Sequence, residues 1–324
     1  MDLLKPTTLK ALCARAGMRP EKSSGQNFLI DRTALDRIVE AVDPQPHDTI
    51  LEVGAGFGVL TTALAPRVAR VIAIERDPRI TSILRELVEQ CGNVEVVEED
   101  VLRWLRSDHD LGAAWKIAAN LPYSITSDFL RLLFDAVGTG TISPPARAVL
   151  LLQREVVDRL TVDPQRTRDR KQVGMLTILT QLHATPHRVA TVAPGSFWPQ
   201  PKVESAVVVL DEWRSPAQIQ ELLGDVSRDE FLHVVHACFA RRRAQMRTTV
   251  SHVIAREQGD RSNLGHDTRR PGLLRGVYPV GTRSVPFGAR NDKAFWDSTG
   301  IDPTARPETL TLTQWIALAR ALRS

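Results

Sequence analysis

The sequence predicts an α/β fold over its first two thirds, with helices flanking an open, mostly parallel sheet, and a smaller all-α domain after it. Three observations carry that prediction. Short apolar runs alternate with segments of helical spacing between residues 49 and 210. A turn with glycine at alternate positions, Gly54, Gly56 and Gly58, follows the first of those runs. Strand-like runs then stop near residue 211, where helical spacing takes over. A chain of 324 residues with 43% hydrophobic content can bury a large core and is expected to divide in two.

Thr7 to Ala16 reads as a helix, with Leu9, Leu12 and Ala16 near one face and Gly17 placed to end it. Residues 19–29 are polar and glycine-containing. They read either as a linker or as a basic arm leading into a lid, with Gln26 and Asn27 as hydrogen-bonding groups and Phe28 and Leu29 as an apolar cover. Asp31 to Val42 is helical, with Leu35, Ile38, Val39 and Val42 aligned, until Pro44 and Pro46 interrupt it. Thr49 to Val53 is a strand that runs into the glycine turn, after which a new helix offers unpaired N–H groups. The glycine spacing is neither the dinucleotide fingerprint nor a P-loop. Glu52, just before the first glycine, would repel phosphate and favours a cationic or amine-bearing ligand.

The rhythm continues. Val68 to Ile74 is a strand ending at Glu75, Pro78 to Gln90 a helix with Ile80, Ile83, Leu84 and Leu87 on one face, and Val94 to Val97 a strand closed by Glu98, Glu99 and Asp100. Glu52, Glu75 and Asp100 thus end successive strands and can share one rim, the edge at which open parallel sheets bind ligands. The alternative is that they cap helix N-termini. The strand Trp115 to Ala119 ends in Asn120-Leu121-Pro122-Tyr123, where Pro122 stops the ladder. This tetrad places a carboxamide, two carbonyls and a ring together and can hold a flat amine; an ordinary turn is the other reading. Ala148 to Leu152, His187 to Val192 and Val203 to Leu210 complete the strands, the last two as an antiparallel hairpin. Beyond residue 211, Leu222, Leu223, Phe231, Leu232, Val235 and Phe239 mark helical faces.

Charge and cysteine usage set bounds. Forty-two Lys and Arg against 38 Asp and Glu leave +4, which permits nucleic-acid binding without requiring it. Cys13, Cys91 and Cys238 are odd in number and far apart, which suggests neither a disulfide framework nor a zinc knuckle. His233, His236 and Cys238 are near neighbours but lack a clear fourth ligand, so no metal is expected. No apolar run approaches membrane-spanning length, and the N-terminus lacks the apolar core of a signal peptide, so a cytoplasmic protein with no membrane partner is expected. Arg241, Arg242, Arg243 and Arg247 cluster in the helical region, and further arginines follow with few acids between them. Such a run is either a solvated face or a phosphate-contacting surface.

Glu52-Val53-Gly54-Ala55-Gly56-Phe57-Gly58, Glu75, Asp100 and Asn120-Leu121-Pro122-Tyr123, preceded by Gly25-Gln26-Asn27-Phe28-Leu29, resemble the ribosomal RNA adenine N6-dimethyltransferases. The likeness continues through Leu152 to Val156 and through Pro194-Gly195-Ser196-Phe197-Trp198-Pro199-Gln200-Pro201 to Val208. It returns in Phe239 to Arg243 and in Gly300 to Leu310, and so covers nearly the whole chain. The resemblance implies a Rossmann-like, S-adenosylmethionine-dependent methyltransferase fold, with a seven-stranded sheet whose last strand is antiparallel. It implies a lid in residues 1–30, a methyltransferase domain in 31–211 and a helical RNA-binding domain in 212–324.

It also implies roles. Asn27 and Leu29 would contact the cofactor from the lid, with Gly54 against its methionine part, Glu75 on its ribose hydroxyls and Asp100 on its adenine amine; Glu52 and Gly56 would also be cofactor-binding. Asn120 would lie between cofactor and target base, and Tyr123 and Phe197 would stack on the base's two faces. Carbonyls of Asn120 and Leu121 would orient the target amine, which is catalysis by alignment more than by proton transfer. The implied activity is dimethylation of adjacent adenosines in the 3′-terminal hairpin of small-subunit ribosomal RNA, by a monomer acting on RNA or a preribosomal small-subunit particle. The related large-subunit methyltransferases that confer antibiotic resistance, and non-catalytic nucleic-acid-binding factors on this fold, are the alternatives. The chain departs from the family pattern at Arg243-Ala244-Gln245-Met246-Arg247 and in an apparent arginine-rich insertion at about residues 257–290.

Overall fold

Strands covered on both faces need apolar residues at nearly every position, and the runs of that kind form the middle of the sheet. The computed structural model describes residues 1–18, 26–112, 114–164, 166, 172–251, 253 and 293–323. The proposed insertion at 257–290 and the first part of the expected lid, residues 19–25, lie outside them.

In chain order the strands are β1 (Phe28–Leu29), β2 (Thr49–Val53), β3 (Arg70–Glu75), β4 (Val94–Glu98), β5 (Trp115–Asn120), β6 (Arg147–Gln153), β7 (Thr185–Val192), β8 (Phe197–Trp198) and β9 (Ser205–Asp211). The helices used below are α1 (Pro6–Arg15), α2 (Arg32–Val42), α3 (Val59–Leu64), α4 (Pro78–Leu87) and α5 (Val101–Trp104).

Seven strands form one sheet in the order β4-β3-β2-β5-β6-β9-β7. From β4 to β6 all pairs are parallel, and β9 runs antiparallel to both β6 and β7. The expected mostly parallel sheet with a closing hairpin is therefore present. β2, β3, β5, β6 and β9 are buried along almost their whole length, whereas the edge strand β4 carries exposed Glu95 and Glu98, charges that discourage further strand pairing. The chain steps outward from β2 to β3 and β4, then returns to place β5 on the other side of β2. That reversal leaves a crevice beyond the C-terminal ends of β2 and β5.

Several bounds depart from the sequence expectations: β7 starts at Thr185, β9 at Ser205, and α4 ends at Leu87. β3 starts at Arg70 and not at Val68, because Ala69 and Arg70 both donate backbone N–H groups to the Asp48 carbonyl, at 3.0 and 3.2 Å. Residues 28–29, expected as loop, form β1, which pairs with β8 in a separate two-stranded ribbon, Phe28 opposite Trp198 and Leu29 opposite Phe197.

The chain divides into two compact units, one of residues 1–161 and 179–218, the other of 162–178 and 219–324. The first holds the sheet. The second is helical among its described residues. There Ser227 and Glu230 form a capping box on the helix Arg228–Phe239, Phe239 stacks on Trp315 at 5.4 Å, and Arg320 donates to the Leu222 and Leu223 carbonyls. No described helix is long and apolar enough to cross a membrane.

At the sheet end opposite the crevice, Lys116 Nζ lies 2.8 Å from Asp48 Oδ2, with the Asp48 side chain 2% exposed. Gln45 donates its N–H to the same oxygen at 2.8 Å, and Lys116 also donates to the Asp43 carbonyl. A buried pair contributes little over an apolar one, but removing a single partner strands the other charge. Lys116→Met should therefore lower the unfolding free energy by about 3 kcal/mol in urea denaturation at neutral pH. Adding Asp48→Asn should restore most of that loss; a further fall in the double variant would refute the stranded-charge account.

Candidate active site

The glycine turn can exist only where side chains are absent. Gly54, Gly56 and Gly58 all have positive φ, at 71°, 57° and 84°. A Cβ at Gly56 would sit 3.3 Å from the Phe28 ring of β1, and one at Gly58 would collide with Leu84 at 2.7 Å. The backbone of the turn is thus bare toward the crevice and closely covered by β1.

Glu75 holds that turn in place. Its Oε2 accepts from the Gly56 N–H at 3.0 Å, and its Oε1 accepts from the N–H groups of Arg76 and Asp77 at 2.9 and 3.0 Å. Burial nevertheless raises its pKa above the usual carboxylate value, outweighing those three donors. Glu52, one strand over, is 2% exposed, and its Oε2 has no hydrogen-bond partner among the described residues. Burial pushes its pKa from 4.5 to about 8, with the Glu75 charge acting in the same direction. Asp100 is exposed and caps α5, its Oδ1 accepting from the Leu102 N–H at 2.8 Å. Both readings of the strand-end acids therefore hold together: the three line one cleft, while Asp100 also caps a helix.

These residues line a cleft that is partly open to solvent. Gln26, Asn27, Phe28 and Leu29 line one side, Glu52, Gly54, Gly56, Glu75 and Asp100 the floor, and Asn120, Leu121, Pro122 and Tyr123 the other side. The register explains the meeting of floor and tetrad: Val53 pairs with Ala119, so Gly54 and Asn120 leave adjacent strands at one level. Asn120 Nδ2 donates to the Asn27 carbonyl at 3.0 Å, tying tetrad to lid and leaving Oδ1 as the amide's acceptor. Leu121 is buried, while Asn120, Pro122 and Tyr123 are partly open.

Phe197 is placed elsewhere. It is 3% exposed, belongs to the core cluster that contains Leu29, Leu35 and Ile38, and is not part of the cleft wall. In β8 it lies opposite Leu29, and its ring packs within that cluster. Arg241, Arg243 and Arg247 are exposed in the second unit, and Arg242 Nε lies 3.9 Å from Glu308.

Sequence reasoning missed two supports of this site. Ser196 Oγ donates to Asp31 Oδ2 at 2.7 Å, and the Ser196 carbonyl accepts from the Ile30 N–H, which fastens the residues before β8 to those after β1. Ser205 lies 2.7 Å from the Tyr123 hydroxyl. Asp31 also caps α2, its Oδ1 accepting from the Ala34 N–H; its bond to Ser196 spans 165 positions and left no local signal.

The raised Glu52 pKa has a consequence with a definite sign. A folded-state pKa near 8 against 4.5 means the neutral acid favours the fold; that contribution is complete below about 4.5 and is lost as pH rises toward about 8. Without added ligand, urea midpoints should decline across that window, and Glu52→Gln should flatten the decline. Equal pH slopes in the two proteins would remove Glu52 as its source.

Comparison with known proteins agrees with this geometry. The family model described as ribosomal RNA adenine dimethylase matches residues 18–267. A ribosomal RNA small subunit methyltransferase A from Geobacter metallireducens is 36% identical over 310 residues, covering 94% of this chain and 96% of the relative. One from Anaeromyxobacter dehalogenans is 36% identical over 326 residues, covering 97% of each. Among solved structures, the 23S rRNA methyltransferase ErmE aligns with a TM-score of 0.62 at 26% identity, over 92% of this chain and 100% of that one. A dimethyladenosine transferase from Plasmodium falciparum aligns with a TM-score of 0.67 at 24% identity, over 90% of this chain and 95% of that one, and shares the fold. On the family match and the near full-length relatives, this chain belongs to the ribosomal RNA adenine dimethylase family of methyltransferases.

Proposed function

We propose that the enzyme dimethylates the N6 amines of adjacent adenosines in the 3′-terminal hairpin of small-subunit ribosomal RNA. The observation that carries the choice of subunit is the near full-length identity to proteins named for the small subunit, 36% against 26% for the large-subunit enzyme. The reading extends to a cytoplasmic monomer acting during small-subunit assembly.

S-adenosylmethionine, the methyl donor of this family, supplies an electrophilic methyl group on a sulfonium. The residues present fit it. The unsatisfied buried Glu52 oxygen offers an anchor for a positively charged ligand, and the bare backbone at Gly54 and Gly56 allows close approach. Asn27 and Leu29 would cover it, Glu75 would take its hydroxyls and Asp100 its base.

The target amine is a poor nucleophile because its lone pair is delocalised into the adenine ring. The chain's task is therefore alignment. With Nδ2 engaged by Asn27, Asn120 turns its carbonyl oxygen to accept from the amine N–H. The Leu121 carbonyl would accept the second N–H, and the two contacts favour a pyramidal nitrogen whose lone pair faces the donor. After one transfer a single N–H remains and one acceptor suffices. Tyr123 would stack on the base and hold it out of its helix. The excess proton on the methylated amine can leave to solvent through the open side of the cleft, so no buried base is required.

We assign phosphate binding to Arg241, Arg243 and Arg247, for which no acidic partner occurs among the described residues, and a structural share to Arg242 through Glu308.

Incubation with labelled cofactor and each immature ribosomal subunit, followed by mapping of the modified bases, should place label on small-subunit adenines; label confined to the large subunit would overturn the reading. Asn120→Ala should lower turnover by roughly a hundredfold or more while the cofactor Kd stays within a few-fold. Undiminished turnover would remove Asn120 from its role. Replacing Arg241, Arg243 and Arg247 together with Ala should reduce the slope of log affinity against log salt by roughly two to three units, with cofactor affinity unaltered.

A further inference from the structure

We propose that Ser205 is a positioning residue for methyl transfer: its hydroxyl fixes the ring of Tyr123, and with it the plane in which the target base stacks. The proposal deepens the reading of Tyr123 given above and rests on it.

The two oxygens are 2.7 Å apart, between residues separated by 82 positions. Their surroundings differ. Ser205 is fully buried and opens β9, where it is paired on both sides, with Gln153 of β6 and Val192 of β7. Such a residue cannot shift without disturbing two ladders. Tyr123 is half-buried, lies in the turn after β5 and lines the cleft. Of the pair, the ring is the member free to tilt and Ser205 is the fixed point.

The tetrad is then held from two directions. Asn120 is oriented by the Asn27 carbonyl on the lid side, and Tyr123 by Ser205 on the sheet side. Without Ser205, the backbone of the turn still places Tyr123 beside the cleft, but its hydroxyl loses the hydrogen-bond contact with β9 that anchors the ring's tilt. A tilted platform presents the base amine off the line of transfer, which lowers turnover more than it weakens ligand binding. A purely structural hydrogen bond would act on stability and leave turnover of the folded enzyme intact.

The test combines kinetics with a direct view of the ring. Ser205→Ala, Tyr123→Phe and the double variant are assayed for kcat and KM on immature small subunits, for cofactor Kd and for Tm. Each single variant should lose about tenfold in kcat, the worth of one oriented hydrogen bond. The double should lose no more than either single, and cofactor Kd should stay within twofold. Ser205→Thr, which keeps the hydroxyl, should recover part of the rate. The chain contains only Tyr123 and Tyr278, so ring-labelled tyrosine gives an NMR spectrum of two residues. In Ser205→Ala the Tyr123 signals should shift and narrow toward those of a freely flipping ring.

Unchanged kcat in Ser205→Ala with a lowered Tm, multiplicative losses in the double variant, or an unaltered Tyr123 ring signal would each overturn the proposal. If Ser205→Ala does not fold, Tyr123→Phe and Ser205→Thr decide between the same outcomes. Failure of the wild-type chain to methylate either subunit would instead defeat the functional reading, and the ring spectrum would still report on whether Ser205 holds Tyr123.

Discussion

The hydrogen bonds between the Glu75 carboxylate and the backbone of its neighbours are the constraint on which the cleft depends. In a turn with positive φ at Gly54, Gly56 and Gly58 the buried Phe57 is held by stacking on Phe28, while the backbone at the glycines must be fixed by hydrogen bonds from outside. Glu75 does this by accepting the Gly56 N–H from across the sheet while also binding the start of its own loop. The arrangement requires a carboxylate in a place that resists charge, and burial raises the pKa of Glu75 despite three donors. Glu52 stands beside it with an unsatisfied oxygen and a pKa pushed to about 8. Two neighbouring acids, both disfavoured by burial, form a floor that a cationic, hydroxyl-rich ligand would relieve. Strain from buried charge is thus concentrated where a ligand is to be held.

The opposite wall solves a different problem. Asn120 and Tyr123 lie in a turn, and turns define side-chain angles poorly. Each is tied to a rigid partner far away in sequence: Asn120 to the lid segment before β1, and Tyr123 to the first residue of β9. The lid segment is itself secured by the β1–β8 ribbon and by the Asp31–Ser196 hydrogen bond. That bond also lowers the Asp31 pKa below the usual carboxylate value. Phe197, buried opposite Leu29, adds its packing to this ribbon.

What could be read from the sequence follows from how local each signal is. The strand runs around Ile50, Ile72, Ile117 and Leu150 declared themselves because parallel strands buried on both faces leave no polar positions. The glycine turn, Glu52, Glu75, Asp100 and the tetrad were legible because each sits at a strand end, where a change of pattern marks a change of direction. The pairing of β1 with β8 was not, since two residues carry no periodicity. For Phe197 the sequence leaves base stacking and core filling both open, because an aromatic beside prolines looks alike in either place; in the structure it is buried. Ser205 gave no signal at all. A serine opening an apolar strand is unremarkable until its partner, 82 positions away, is known.

The same geometry bears on how one adenosine is chosen among many. Every contact proposed for the tetrad is to the amine or the ring face, and all accessible adenines present these alike. Alignment by Asn120 and Tyr123 can therefore accelerate the reaction without selecting its site. Selection must come from groups that read the shape and phosphates of the surrounding RNA. Within the second unit the exposed arginines divide on this ground. Arg242 is drawn to Glu308, whereas Arg241, Arg243 and Arg247 keep their charge toward solvent, and the Arg247 guanidinium is steadied by the Gln245 carbonyl oxygen at 2.9 Å. A guanidinium held by a neutral acceptor loses rotational freedom without losing charge, which suits a phosphate contact of defined geometry. On the proposed assignments the tetrad belongs to the sheet unit and these arginines to the helical one, so substitutions in each should separate, one set moving turnover and the other the salt dependence of RNA affinity.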